Sequence, residues 1–146
     1  MKKSEYKKYF PYVLFGLYIL FVLWLTLLNR KNGINRSTLT PFWEYAKVIR
    51  NQGRKYFIGQ IIGNIALFIP LGFMLPFLPK FKNVNCTRVL LIGLCFSIII
   101  ELTQYITGRG LMEFDDVFNN TLGALIGYGV YKMIDSLFSV RCKRIE

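Results

Sequence analysis

Histidine is absent from the 146 residues of this chain. That removes Ser/His/Asp triads, Cys/His pairs and His-ligated metal sites at once. Acidic residues are scarce, eight against nineteen Lys and Arg, which leaves a net charge of +11. Charged residues reach only 18%, below the roughly 25% of an ordinary soluble domain. The three cysteines, Cys86, Cys95 and Cys142, are odd in number and form no CxxC pair. Neither a disulfide framework nor a zinc site is expected from them. Repeats and low-complexity segments are also missing. What fills the chain is apolar: 53% hydrophobic and 16% aromatic residues, with a mean hydropathy of +0.37. This excludes disorder. The positive charge alone would suit nucleic acid. It flanks long apolar runs, however, where Lys and Arg meet anionic lipid headgroups, so membrane lipids and not nucleic acid are the expected partners.

A membrane-crossing helix needs about 20 mostly apolar residues. Four stretches meet that length, at about 9–29, 56–79, 89–108 and 116–140. The first follows a basic start, as a signal peptide would, but it is too long for an h-region and no small-residue cleavage site follows. The second carries Gln60, Asn64, Pro70 and Pro76, and the third carries Glu101 and Gln104 near its end. The pattern predicts an all-α membrane protein: one integral membrane domain over 1–146, built as a bundle of four transmembrane helices.

The connection Arg30–Lys55 is long for a bundle. Thr40 can cap a helix, Pro41 suits a first helical position and Gly53 can stop one. Leu39, Phe42, Tyr45, Ala46 and Ile49 fall on one face, with Glu44, Lys47 and Arg50 opposite. This spacing predicts a short amphipathic helix, about 41–52, lying in the membrane interface; a polar loop with chance spacing is the alternative. Four crossings put both termini on one side. With that side cytoplasmic, eleven Lys and Arg lie inside and eight outside, the direction that the positive-inside rule favours.

The polar residues of the spans share one end of the predicted bundle. Gln60 and Asn64 lie where the second span begins, Glu101 and Gln104 where the third ends, and Asp115, Asp116, Asn119 and Asn120 where the fourth begins, with Arg109 between. Spacing puts Glu101 with Gln104 on one face, and Asp116 with Asn120. Gly123 and Gly127 continue the second stripe and allow close helix packing. An ionisable group at membrane depth costs roughly 2.5–3.5 kcal/mol, so Glu101, Arg109 and Asp116 are candidate functional groups. Asn64, Gln104 and Asn120 read equally well as hydrogen-bonding glue between helices. Asp115 or Asp116 could simply cap the fourth helix. Pro70 predicts either a kink that opens the second span or a packing bend.

The stretches "LTPFWEY", "IGNIALFIPLGFMLP", "IELTQYITGRG" and "FDDVFNNTLGALIGY" resemble, in order, the motifs of the VanZ-like family of bacterial membrane proteins. Asn64, Pro70, Glu101, Gln104, Arg109, Asp116 and Asn120 match those motifs, while Thr38 stands where the family's usual Asn is expected. The resemblance implies a multi-pass cell-membrane protein of Gram-positive type. It also implies a link to low-level resistance to teicoplanin, a lipid-anchored glycopeptide antibiotic, without supplying a reaction. Two functions stand side by side. One is a non-catalytic protein that binds a lipid-linked cell-wall component or a lipoglycopeptide at the outer leaflet. The other is a small intramembrane enzyme acting on a phospholipid or isoprenoid-phosphate carrier, with Glu101 and Asp116 as acid/base or metal-binding pair. A four-helix transporter is a weaker third. No cofactor and no metal are expected.

Overall fold

A computed structural model describes residues 3–29 and 34–143. Lys2, Arg30, Lys31 and Arg144, counted in the charge balance above, lie outside the described residues. Helix α1 spans Lys3–Leu23 and widens into a π-helical turn over Trp24–Leu28. Strand β1 (Ile34–Thr38) and helix α2 (Trp43–Ile49) follow. Helix α3 spans Arg54–Met74, and two 3₁₀ turns, Leu75–Phe77 and Pro79–Phe81, lead to helix α4 (Cys86–Thr107). Strand β2 (Arg109–Glu113) then runs into helix α5 (Phe114–Lys143). Among the described residues three helices are long and apolar enough to cross a membrane, over Tyr9–Leu28, Arg54–Phe77 and Cys86–Thr107.

Helix boundaries follow local chemistry. The Asn85 side chain accepts from the Arg88 backbone N–H at 2.9 Å and caps α4 at its start, and Gly108, with φ 65°, ends it in a left-handed turn. Helix α3 runs through Pro70 without a break. Proline supplies no N–H and pushes on the preceding turn. The carbonyl of Leu67 in that turn accepts from the Tyr18 hydroxyl at 2.8 Å, which also fastens α1 to α3. No opening of the bundle accompanies Pro70 on the α5 side, because α3 and α5 are in backbone contact there. A Cβ on Gly127 would lie 1.9 Å from the Ile69 carbonyl oxygen, and one on Gly72 would lie 1.7 Å from that of Ala124. One turn earlier, a Cβ on Gly123 would meet the Ile65 oxygen at 2.2 Å. Side-chain-free surfaces let the two helices approach to the limit of their backbones.

The core lies between these helices and includes Phe68, Leu71 and Leu75 of the α3 segment, Val89 and Ile100 of α4, and Ala124 of α5. Leu17, Leu20 and Phe21 of α1 and Ile99 and Ile106 of α4 face outward, as they do where hydrocarbon replaces water.

One expectation is extended and another corrected. The helical fold also carries a small two-stranded parallel sheet of β1 and β2, with Ile34 opposite Arg109 and Thr38 opposite Glu113. Both segments are connections at the same end of the helices. Pairing gives the backbone N–H and C=O groups of both segments their partners. The predicted interfacial helix is shorter, Trp43–Ile49, and one residue expected on its polar face, Glu44, turns into the protein instead. Glu44 is 1% exposed while Ile49 is 83% exposed. No side chain of Thr40 caps it; Phe42, with φ 58°, stands at its N-terminus. Gly53 does not stop α2 but precedes α3, with φ 67°.

Candidate functional site

The end of the fold where α1 finishes and α5 begins holds nearly all the buried polar side chains. Thr26, Glu44, Glu101, Gln104, Glu113, Asp115, Asp116, Asn119 and Asn120 are all buried, with Ser97 on the α4 wall beneath them. The π-helical turn of α1 is the first support. The last carbonyls of a helix have no partner within it. Here the Thr26 carbonyl accepts from Gln104 Nε2 at 3.0 Å and the Leu27 carbonyl accepts from Arg109 Nη1 at 3.2 Å. A guanidinium at a helix C-terminus also meets the negative end of the dipole.

Asp115 organises the α2 segment. Its two carboxylate oxygens accept from the backbone N–H of Phe42 at 2.6 Å and of Glu44 at 2.8 Å. It therefore caps α2, 71 positions away from Glu44 along the chain. The Tyr45 hydroxyl donates to Asn119 Oδ1. Burial, with the charges of Asp115 and Glu44, raises the Tyr45 pKa and keeps that donor protonated. Phe42 closes the joint by edge-to-face contact with Phe114 and Phe118, at ring separations of 6.0 and 5.3 Å. These contacts turn Glu44 inward.

Asp116 accepts from Asn64 Nδ2 of α3. Glu101 Oε2 accepts from the Glu113 backbone N–H at 3.0 Å, which anchors β2 to α4. Asn120 Nδ2 donates to Ser97 Oγ at 2.9 Å. The structure thus places Asn64 with Asp116, Glu101 with the backbone of Glu113, and Gln104 and Arg109 at the end of α1. Pro70, Gly123 and Gly127 lie along the α3–α5 contact away from the polar end.

Glu44 and Glu113 complete the acidic group. One carboxylate oxygen from each of Glu44, Glu113 and Asp116 lies within 4.8 Å of the other two, and all three residues are buried. Burial first, and then the charges of Asp116, Glu113 and Asp115, push the Glu44 carboxyl up to about 8. Glu44 Oε2 has no hydrogen-bond partner among the described residues, and neither do Gln104 Oε1 and Asn120 Oδ1. Sequence reasoning placed Glu44 on the solvent side and passed over Glu113. The available signals were the position of Glu44 inside "LTPFWEY" and of Glu113 two residues before Asp115.

Beside the polar end, an apolar cavity of about 260 Å³ opens between α4 and α5. Leu90, Leu94, Phe114, Phe118, Leu122 and Leu125 line it. Phe114 precedes Asp115 directly, so the cavity begins on the helical turn that bears the carboxylates.

The family model described as VanZ/LLP1 matches residues 15–135. Protein VanZ of Enterococcus faecium is 31% identical over 133 residues, which cover 81% of this chain and 71% of that protein. No solved structure matches the chain.

Proposed function

This chain belongs to the VanZ family, and from that membership we propose that it is a cell-envelope membrane protein of Gram-positive type which holds an amphiphilic ligand at the outer leaflet. The ligand class is a lipid-linked cell-wall component or a lipoglycopeptide of the teicoplanin type. One observation carries the reading: an apolar cavity starts at Phe114, next to the buried polar group around Asp115 and Asp116. A ligand with a lipid tail and a polar head needs those two surfaces in contact. The competing reading, an enzyme acting on a lipid phosphate, draws support from the three converging carboxylates.

In this proposal α5 is the fourth crossing. Its 30 residues span about 45 Å, and its glycine face lies against α3. Both termini are then cytoplasmic and the polar end faces out. A Cys at exposed Ile49 reports this orientation with a membrane-impermeant thiol reagent; Gly110 is buried and unsuited to the purpose. In a background lacking the native cysteines, Ile49→Cys should label from outside and Asn83→Cys should not.

The ligand is tested by mass spectrometry of gently purified protein. The wild type should retain an isoprenoid-phosphate or comparable cell-wall lipid, and Leu94→Trp, which fills the cavity, should lose it without loss of fold. Equal retention by both would overturn the assignment of the cavity.

A further inference from the structure

We propose that Glu44, Glu113 and Asp116 form a binding site for a hard divalent cation of the Ca²⁺ class. Three different elements, α2, β2 and α5, bring these carboxylates together, with one oxygen of each within 4.8 Å of the others. Ca²⁺ takes oxygen ligands at roughly 2.3–2.6 Å, so one ion spans oxygens up to about 4.6–5.2 Å apart. The observed spread falls within that reach. Mg²⁺, with ligands at roughly 2.0–2.1 Å, demands near-ideal octahedral geometry and usually keeps several waters, which suits a cage of three carboxylates less well.

A second observation points the same way. Glu44 is 1% exposed, its carboxylate is aimed into this group, and Oε2 has no hydrogen-bond partner among the described residues. A buried carboxylate oxygen without a donor is costly, and a cation supplies what the protein around it does not. Asn120 lies one turn after Asp116 on the same side of α5, and its Oδ1 is likewise buried and without a partner. Carboxylate and amide oxygens together are the ligand set of Ca²⁺ sites. The fold invests in the placement of Glu44: Asp115 holds the backbone N–H of Phe42 and of Glu44 itself, and the Phe42 ring packs on Phe114 and Phe118.

The cation site stands without the ligand proposal, but it bears on it. Clustered carboxylates repel a phosphate or carboxylate headgroup. Ca²⁺ takes six to eight ligands, so an ion held by three carboxylates keeps positions for water or an anionic headgroup. It would convert a repelling end into an attracting one.

The test uses the full chain in detergent, stripped with a chelator and titrated calorimetrically with Ca²⁺ alone, no lipid being added. One saturable equivalent per chain is expected. Changes to the groups that merely hydrogen-bond to metal ligands weaken such sites by roughly 10–100-fold, so loss of a direct ligand in Glu44→Gln or Asp116→Asn should weaken binding by at least about tenfold. Asp135→Asn, on an exposed side chain at the far end of α5, should bind as the wild type does. Circular dichroism melting monitors the fold. Where Asp116→Asn does not fold, Glu44→Gln decides, because glutamine keeps the shape and the backbone N–H bonded to Asp115 is untouched. Absence of saturable binding, unchanged affinity in Glu44→Gln, or an equal loss in Asp135→Asn would each overturn the site. Loss of lipid retention in the cavity experiment would leave this result unaffected.

Discussion

A methyl group at Gly123 probes how the paired helices hold the polar end. Its Cβ would sit 2.2 Å from the Ile65 carbonyl oxygen and 3.1 Å from the Ile65 Cα. Ordinary contact needs about 3.4 Å, so α5 must retreat by about 1 Å, and a backbone carbonyl in a helix cannot swing aside. At Gly127 the same substitution meets the Ile69 oxygen at 1.9 Å and demands a somewhat larger shift. Overpacking of this kind costs about 1–3 kcal/mol. The displacement also pulls on the Asn64–Asp116 hydrogen bond, since Asn64 precedes Ile65 and both bridge the same helix pair. Leaving a buried partner unsatisfied adds about 1–3 kcal/mol. The expected loss for Gly123→Ala is therefore about 2–6 kcal/mol. Thermal melting in detergent, followed by circular dichroism, measures it. Gly129→Ala is the reference, because a Cβ there meets nothing within 4 Å and alanine favours a helix over glycine by up to about 1 kcal/mol. Gly123→Ala and Gly127→Ala should melt well below the wild type, and Gly129→Ala at or above it. If all three melted alike, the backbone contact between α3 and α5 would be refuted.

Other side chains give sharper local tests. Asp115→Ala should free the Phe42 and Glu44 N–H groups, cost about 1–3 kcal/mol, and make the segment from Leu39 to Gly53 sensitive to protease; Asp115→Asn keeps one acceptor and should lose less. Tyr18→Phe leaves the Leu67 carbonyl without its donor and should lower stability by about 1 kcal/mol. Thermal melting in detergent measures it, and an unchanged midpoint would refute a role for this hydroxyl in fastening α1 to α3.

The long apolar runs determined α1, α3 and α4 directly, because the need to bury or lipid-face about 20 residues leaves few alternatives to a helix. Helix ends were less legible: α3 starts at Arg54 and α4 at Cys86, each a little earlier than apolarity alone suggests, since a helix continues past its hydrophobic face until a cap ends it. The motif residues of the polar end could be placed on the right helices and at the right end, since spacing along a helix is geometry. Only the tertiary structure decided what lies across from them. The β1–β2 pair joins segments far apart in the chain, neither of which carries the alternation of a strand. The direction of Glu44 depends on Asp115, a residue from another helix that caps α2 from outside. Local amphipathicity put Glu44 on the polar face of an interfacial helix, and the long-range hydrogen bonds turned it into the protein. Periodicity describes one element against an average environment. At this end of the protein the environment is itself built of carboxylates and backbone N–H groups, which no single stretch of sequence contains.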